Sequence, residues 1–504
     1  MKNSKMATLV LGLLVYLSVS SSVFGITAEN FRKGLMANPN INRTSGELFT
    51  WHARAGGIDG FIMGYHAYGG DKSWLEEASK YYDFLISKME KEPDGFMGWV
   101  GPDVGQDITG VTGSVVIGDA NLLDPMLEFS EMVMKDPFLK SSPLGKKAEG
   151  YMDLARKTLI DKWDKRKGYY EDGMFASYLN TATVIDGKTK QLKTYPGKVI
   201  SENLNKHGRM ASCFLKFYRI TGETIFKERA EKIFGHYKAI MRYHKDEDRY
   251  FWNFWEPLGP FDFKGAKPSS WVAVHPNRGG YQLAECSHFV EAYHTGVVFS
   301  EEDMQKIINT NLGMWNKSLT DMHFTSSDGT QTSSEKERPG DAGTLWSSLA
   351  DFSPKIRELY AVQLKDGNNE VAEAYFKNIT CKEPPSFKRK YVTGEVKLPE
   401  IPIYPSKDIS MAVVIPAHIS TGKNETMKIA CQVQAKGTVK IALFSADGKT
   451  AVFEIGSLDA KRANDFFSMK WDGKDKAGKP FKGAYRVRFT MEDSTREWPV
   501  KLED

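Results

Sequence analysis

Cysteine is scarce in this sequence of 504 residues, which holds four: Cys213, Cys286, Cys381 and Cys431. None of them forms a CxxC pair, so the usual spacing of a zinc site or of a redox motif is missing. Cys213 and Cys286 fall within apolar helical patterns, where a cysteine acts as a small core residue. We therefore expect no metal and no cofactor.

Runs of lysine and arginine are also missing, and the formal net charge is only +4. Lys2 and Lys5, near the start of the sequence, supply two of these charges. Without a basic stripe that could follow a phosphate backbone, nucleic acid is not expected as a partner. A nearly neutral chain still allows an acidic substrate, because only the binding cleft has to be positive.

Long apolar runs are lacking too, apart from the stretch between Ala7 and Val19, which is short for a membrane span. This stretch follows a basic start and precedes Val23-Phe24-Gly25, with small residues where a signal peptidase would cleave. That order of parts predicts a secretory signal peptide at 1–25. We expect a secreted or periplasmic monomer with no membrane span.

What the sequence does contain, up to residue 381, is a repeated helical hairpin. An apolar helix rich in small residues is followed by a glycine and then by a charged amphipathic helix, at 51–89, 201–240 and 279–315. Further inner helices are predicted at 112–133 and 340–352. The pattern indicates inner and outer helices around one axis, with long loops inserted before the inner helices. Since helix N-termini favour anions, the face that carries these loops is the predicted cleft.

The composition changes after residue 381. Five prolines fall within 382–408, which indicates a stiff linker. From 409 to 504 short stretches alternate apolar and polar residues between turn signals, and this pattern predicts a small β-sandwich. Because this region shows no concentrated group of polar residues, truncation near residue 400 is expected to leave the chemistry intact.

Two parts of the chain resemble known families. Around "FYRITGETIFKERAEKIF" and "GGIDGFIMGYHAYGGDKSWLEEA" the chain resembles the (α/α) toroid catalytic domains of carbohydrate-active enzymes, over roughly 45–380. Around "WDGKDKAGKPFKGAYRVRF" it resembles the immunoglobulin-like module of the flagellar hook-capping type. The resemblances imply a mainly α protein, with an (α/α) toroid at 26–381 followed by a small β-sandwich at 409–504.

Elimination on a uronate-containing polysaccharide is the chemistry that the helix entrances favour. The substrate carboxylate must be neutralised by Asn, Arg or His, and a Tyr or His must move the proton. "SENLNKHGR" (201–209) and "VHPNRGGYQLAECSHF" (274–289) supply these residue types at two entrances. Toroid lyases that act on alginate or glucuronan use the same types. The catalytic candidates are Asn203, His207, His275, Arg278 and Tyr281.

Other residues near the helix entrances are candidates for binding sugar. Polar side chains there suit hydroxyls and carboxylates, and loop tryptophans suit stacking on sugar rings. The substrate-binding candidates are His52, Arg54, Asn121, Asn205, Trp252, Trp255, Glu256 and Trp271. Each residue also has an ordinary structural explanation, as a helix cap or as a core aromatic.

The expected function is therefore that of an exported polysaccharide lyase acting on an acidic polysaccharide or oligosaccharide. One alternative is a glycoside hydrolase on the same toroid, with a carboxylate pair that includes Asp119 or Glu256. The other alternative is a glycan-binding protein without catalytic activity.

Overall fold

The computed structural model describes residues 27–37, 60–102, 108–180, 183–265, 267–270, 272, 279–314, 324–325, 332–333, 346–356 and 409–503. The predicted signal peptide and the predicted linker lie outside these residues. Within them the chain is mainly helical up to residue 314 and β-rich from residue 409. None of the helices in the described ranges is long and apolar enough to cross a membrane.

Helical hairpins dominate the first region, as the sequence pattern predicts. The helices are α1 Ala28–Ala37, α2 Gly60–Ala67, α3 Ser73–Ile86, α4 Val116–Lys135, α5 Pro137–Ser141, α6 Pro143–Ala155, α7 Lys162–Lys165, α8 Leu204–Thr221, α9 Thr224–Ile240, α10 Gly279–Thr295 and α11 Glu301–Met314. A π-helical turn, Arg156–Asp161, joins α6 to α7. Hairpins are formed by α2 with α3, α4 with α6, α8 with α9, and α10 with α11.

Local signals set the ends of these helices. Gly222 ends α8 with φ +77°, a left-handed conformation that suits glycine. Ser300 caps α11: its Oγ accepts a hydrogen bond from the Asp303 N–H at 3.2 Å, and the Asp303 carboxylate accepts one from the Ser300 N–H at 2.9 Å. The glycine that the pattern predicts between the two helices of 201–240 is therefore confirmed at Gly222.

The helices α4, α8 and α10, which the sequence pattern predicts as inner helices, lie side by side and run in the same direction. On α4 and α8 this is shown by two ion pairs whose residue numbers rise together. On α10 it is shown by Lys216, which binds Glu291, and by Arg219, whose Nη1 donates to Thr295 Oγ1 at 2.9 Å. We call Asp124, Glu131, Lys216, Arg219 and Glu291 the charge ladder. Lys216 Nζ lies 2.9 Å from Asp124 Oδ1 and 2.9 Å from Glu291 Oε1. Arg219 lies 2.6 Å from Glu131 and 2.8 Å from Glu291. The three N-termini therefore lie at one end of the bundle.

Within the hairpin of α8 and α9, the two helices run in opposite directions. The His207 ring contacts the Tyr237 ring with centroids 5.1 Å apart, and the Phe217 ring contacts the Phe226 ring at 5.0 Å. A residue early in α8 contacts one late in α9, and a residue late in α8 contacts one early in α9. The buried apolar faces of both helices join one core.

Short strands occupy the loops inserted before the inner helices. They are β1 Glu90–Lys91, β2 Met97–Gly98, β3 Gly101–Pro102, β4 Val111–Gly113, β5 Tyr169–Glu171, β6 Ala176–Asn180, β7 Thr183–Asp186, β8 Leu192–Thr194, β9 Ile200–Ser201, β10 Arg242–His244, β11 Arg249–Phe251, β12 Phe263–Lys264, β13 Lys267–Pro268, β14 Phe324–Thr325 and β15 Thr332–Ser333. The largest sheet among them has the order β3-β4-β7-β8. Since β4 precedes α4 and β9 precedes α8, these strands set where the inner helices begin.

One predicted helix is wrong in the part that can be compared. The stretch 340–352 was expected to form an inner helix, but its described part holds only a 3-10 turn, Ser347–Asp351. Trp346 and Leu349 are nevertheless fully buried, as an inner helix would require. The apolar residues in this stretch correctly predict burial in the core, but they do not predict the backbone geometry.

The second region forms two β-sheets. Its strands are β16 Ile409–Ile415, β17 His418–Ser420, β18 Met427–Val433, β19 Gly437–Ser445, β20 Ala451–Ala460, β21 Phe466–Trp471, β22 Gly483–Met491 and β23 Ser494–Glu503. One sheet has the order β16-β18-β21 and the other β17-β23-β22-β19-β20. The alternating pattern predicted this β-rich region correctly.

The two regions share their core. The Trp498 ring of β23 lies 5.4 Å from the Phe175 ring and 6.0 Å from the His236 ring of α9. Asp172 Oδ2 accepts a hydrogen bond from the Ala417 N–H at 2.8 Å. Truncating a buried tryptophan alone costs about 3 to 5 kcal/mol. A truncation near residue 400 would remove these contacts, which argues against the expectation that it leaves the chemistry intact.

A buried pair of histidines lies next to this shared core and makes stability depend on pH. The rings of His207 and His236 are 5.9 Å apart, and each residue is 1% exposed. Burial lowers the pKa of His236 to about 3 and lowers the pKa of His207 well below its usual range. Both imidazoles therefore stay neutral in the folded protein, whereas in the unfolded chain they ionise near pH 6.5.

We expect the free energy of unfolding to fall as the pH falls from about 6.5 toward 3. In that window the unfolded chain binds more protons than the folded one, and each histidine contributes a slope of up to about 1.4 kcal/mol per pH unit. His236→Gln should reduce the slope of the free energy of unfolding against pH. The free energies are measured by urea unfolding at pH 7, 6, 5 and 4. Equal slopes for the variant and the wild type would contradict a neutral buried His236.

Candidate functional site

The candidate site lies at the N-terminal ends of α8 and α10, where one short segment crosses both helices. We call residues 252–256, with the sequence "WNFWE", the crossing segment. At α8, the Phe254 carbonyl accepts a hydrogen bond from the Leu204 N–H at 3.3 Å. Trp255 Nε1 donates to the Ser201 carbonyl at 3.0 Å. These bonds hold the segment against the start of α8.

On α10 the crossing segment contacts Tyr281 and Glu285. The Phe254 ring packs edge-on against the Tyr281 ring with centroids 5.4 Å apart. Trp252 Nε1 donates to Glu285 Oε2 at 2.6 Å. Because Tyr281 and Glu285 are four residues apart on a helix, they share one face.

Glu285 is the chemically most unusual residue at this end of the bundle. It is 1% exposed, and burial raises the pKa of its carboxyl group to about 8. Besides the Trp252 indole, the backbone N–H of Asn205 donates to it. Glu285 is therefore mostly protonated at neutral pH, so it can donate a hydrogen bond or a proton.

Two buried oxygens at this entrance make no hydrogen bond within the described part of the chain. They are Glu285 Oε1 and Asn205 Oδ1. The backbone N–H of Asn205 lies close to the Glu285 carboxyl group, so both residues belong to the same entrance. A buried polar atom without a partner is costly. A bound hydroxyl group could donate to Asn205 Oδ1, whereas a bound carboxylate, which only accepts, could pair with Glu285 Oε1 when Glu285 is protonated.

Asn203 begins α8 without capping it through its side chain. Its backbone is extended, with φ −62° and ψ 151°, and its carbonyl accepts from the Lys206 N–H at 2.9 Å. The side chain makes no cap hydrogen bond and is half-buried. The helix therefore does not require this amide, although asparagine is a favoured cap residue.

The side chain of His207, in the first turn of α8, packs against α9 and β6. Its Nδ1 lies 2.8 Å from Ser177 Oγ, and its ring packs between α8 and α9. A neutral, 1% exposed imidazole cannot neutralise a substrate carboxylate. Although His207 and Tyr281 are at the same end of neighbouring helices, the predicted catalytic role of His207 does not fit its position.

The tryptophans Trp252 and Trp255 are core residues and not sugar platforms. Each is 1% exposed, and each indole N–H is used inside the protein. Asn121, on α4, is also buried, at 6% exposure. The predicted stacking of Trp252 and Trp255 on sugar rings is therefore wrong for this arrangement.

Asp119 and Glu256, the carboxylates considered for hydrolysis, belong to internal networks. Asp119 Oδ2 lies 2.6 Å from Lys162 Nζ and 3.1 Å from Trp163 Nε1, and burial raises its pKa to about 6. Glu256 Oε1 accepts from Asn253 Nδ2 at 2.6 Å, and burial raises the pKa of Glu256 to about 7. Both residues are 1% exposed, no less buried than Glu285, and their role in hydrolysis stays a prediction.

Several predicted site residues lie outside the described residues, and their roles stay predictions. They are His52, Arg54, Trp271, His275 and Arg278.

Glu285 also gives a direct test of the buried carboxyl group. Its folded pKa is above its unfolded value, so the folded protein binds more protons between pH 4.5 and about 8, and stability falls as the pH rises through that window. Glu285→Gln removes the titrating carboxyl group and with it this fall in stability at high pH. In urea unfolding at pH 9 we expect the variant to be more stable than the wild type by about 1 to 3 kcal/mol.

At pH 5 the same two proteins should have nearly equal stability, because Glu285 is then protonated. Glu301→Gln removes one negative charge from an exposed position of α11 and is the matched control. If Glu285→Gln is less stable than the wild type at both pH values, burial does not destabilise the ionised form of the Glu285 carboxyl group.

Comparisons with known proteins add little to this geometry. No family model matches the chain, and a search of curated proteins gives no match. Among solved structures, the alkylpurine DNA glycosylase AlkC of Pseudomonas fluorescens, bound to DNA containing an abasic site analog, aligns at 9% sequence identity with a TM-score of 0.16. The alignment covers 95% of this chain and 98% of that chain. At this TM-score the likeness supports no inference about fold or function.

Proposed function

We propose that this protein is an exported enzyme that cleaves an acidic, uronate-containing polysaccharide by β-elimination. The observation that carries the proposal is that Tyr281 and Glu285 share one face of α10, where both contact the crossing segment, next to the start of α8 with Asn205. Elimination needs a tyrosine together with neutral or cationic donors to a carboxylate. This entrance supplies both.

In the proposed reaction the substrate carboxylate is bound by donors at the helix entrance. The Glu285 carboxyl group donates from Oε1, the oxygen not used by the Trp252 indole. A protonated carboxyl group donates without repelling the substrate's negative charge, so it takes the place proposed for His207 from the sequence. Asn203, Asn205 and, outside the described residues, His275 and Arg278 add further donors.

Tyr281 then moves the proton. With the carboxylate bound, the hydrogen on the adjacent carbon becomes more acidic because the enolate-like intermediate is stabilised. Tyr281 removes this hydrogen as a phenolate that a neighbouring cation such as Arg278 would stabilise, the bond to the leaving oxygen breaks, and a double bond forms in the sugar ring. The resulting phenol can protonate the leaving oxygen, which restores the phenolate for the next turnover.

The toroid is part of the same proposal. The parallel inner helices α4, α8 and α10 and the opposite direction of α9 within its hairpin are what an (α/α) toroid requires. In such a fold the inserted loops surround the inner N-termini. The β-rich region, with its sheets of three and five strands, is proposed to be the immunoglobulin-like module.

Hydrolysis is the second candidate, and Glu285 is the observation that favours it. A protonated carboxyl group can act as the general acid of a glycosidase. Its partner would have to be an ionised carboxylate on the other side of the glycosidic bond.

The test is to incubate the protein separately with alginate, glucuronan and glycosaminoglycans. A rise in the ultraviolet absorbance of unsaturated uronate indicates elimination. New reducing ends without that absorbance indicate hydrolysis by the second candidate. Saturable binding without either product would indicate a glycan-binding protein and contradict both enzyme proposals.

A further inference from the structure

The crossing segment also contacts the β-rich region. Asn253 Nδ2 donates to Glu256 Oε1 at 2.6 Å and to the Ser410 carbonyl of β16 at 2.8 Å. Asn253 and Glu256 are each 1% exposed. The same five residues therefore touch the start of α8, the second turn of α10 and the first strand of the β-rich region.

Arg496 of β23 reinforces this junction. It is 4% exposed, and its Nη2 lies 4.0 Å from Glu256 Oε1 and donates to the Ile240 carbonyl, at the end of α9, at 3.2 Å. Its Nη1 donates to the Ile409 carbonyl at 3.4 Å. One guanidinium group thus joins α9, the start of β16 and the end of the crossing segment.

We infer that the β-rich region is a positioning element of the candidate site, and that Arg496 and the Asn253–Ser410 bond hold the crossing segment against Glu285 and Tyr281. The inference rests on the proposed function for its catalytic consequence, although its structural part can be tested alone. Arg496 is a positioning residue, since it acts on Glu285 and Tyr281 only through the segment.

The short length of the segment makes this coupling strong. Trp252 binds Glu285 at one end, Glu256 faces Arg496 at the other, and Phe254 packs on Tyr281 between them. A hydrogen bond of 2.6 Å is lost when its atoms separate by about 1 Å. Displacements of that size at a reacting group can lower turnover by about 100-fold.

The experiment compares Arg496→Ala with Arg488→Ala in the full-length chain. Arg488, on β22, pairs with Glu497 at a partly exposed position and serves as the matched control. Amide hydrogen exchange of peptides covering 200–210 and 279–290 is measured for both variants. For Arg496→Ala we expect faster exchange at both helix entrances, whereas Arg488→Ala should exchange like the wild type.

Kinetics on a polysaccharide that the wild type cleaves provide the second measurement. Arg496→Ala should lower kcat by about 10- to 100-fold with little change in KM. Arg496→Lys keeps the charge but loses the planar fork, so it should recover part of the lost kcat. If Arg496→Ala does not fold, the exchange and kcat of Arg496→Lys decide the question in the same way.

Unchanged exchange at both entrances in a folded Arg496 variant would overturn the inference. So would a loss of stability with wild-type kcat, since Arg496 would then serve docking alone. If the wild type cleaves none of the polysaccharides, the proposed function fails. The exchange comparison still separates a positioning role from a role in docking alone.

Discussion

Replacing Tyr281 with phenylalanine is expected to lower turnover by a factor on the order of 10² to 10⁴, the usual contribution of a general acid or base. The change removes one oxygen and keeps the ring, which still packs against Phe254. Substrate affinity and the melting temperature should therefore stay close to those of the wild type. The measurements are the initial rate of unsaturated-product formation, calorimetric titration with an oligosaccharide, and thermal unfolding.

Tyr293→Phe is the matched control for this substitution. Tyr293 is on the same helix, roughly three turns further along, and its ring packs against Phe352 at 5.4 Å. This variant should keep the wild-type rate. If Tyr281→Phe also keeps it, the Tyr281 hydroxyl is only structural, and Glu285 becomes the residue to test next, as the acid of a hydrolase.

The largest expected effect on stability is that of Lys162→Met, which should lower the free energy of unfolding by about 3 to 5 kcal/mol at pH 8. Lys162 is fully buried, with its Nζ 2.6 Å from Asp119 Oδ2 and 3.3 Å from Glu92 Oε1. Methionine fills a similar volume but leaves Asp119 buried without its cation. Urea unfolding of both proteins measures the difference.

The loss should be smaller at pH 5 than at pH 8. Burial already raises the pKa of Asp119 to about 6, and removing the Lys162 cation raises it further, so the carboxyl group is protonated at the lower pH. Lys157→Met is the control, because Lys157 is exposed on the adjoining π-helical turn. If both variants lose the same amount of stability, the buried ion pair contributes nothing specific.

The helical hairpins could be predicted because their signals are local. Apolar periodicity, a glycine such as Gly222 and a cap such as Ser300 are read within a few residues. The same holds for the alternating strands from residue 409 onward. The 3-10 turn Ser347–Asp351 could not be predicted in this way, because apolar residues mark burial without specifying backbone geometry.

The sequence predicted where the candidate site lies but not which residues belong to it. Both helix entrances were recognisable from Asn203 and Tyr281, and the structure places them at one end of the bundle. The buried Trp252 indole is hydrogen-bonded to Glu285, 33 residues away, and the buried His207 ring to Ser177, 30 residues away. A polar residue on a helix can face either the core or the solvent, and the local sequence does not show which.

The charge ladder shows the same limit in another form. Lys216 and Arg219 are three residues apart on a helix that is otherwise largely apolar, which in principle signals partners on neighbouring helices. Their actual partners are Asp124 and Glu131 on α4 and Glu291 on α10. Identifying them requires the packing order of the helices, and this order is a tertiary property.

The core shared by the helical and β-rich regions has a consequence for how the protein unfolds. Phe175 and His236 of the helical region pack against Trp498 of the β-rich region. Neither region can therefore unfold while the other stays folded without exposing these rings to water. Heat or denaturant should therefore produce one cooperative transition, in which near-ultraviolet signals from the tryptophans and far-ultraviolet signals from the helices change together. The calorimetric and van't Hoff enthalpies should agree, although chains with two structural regions commonly melt in separate steps.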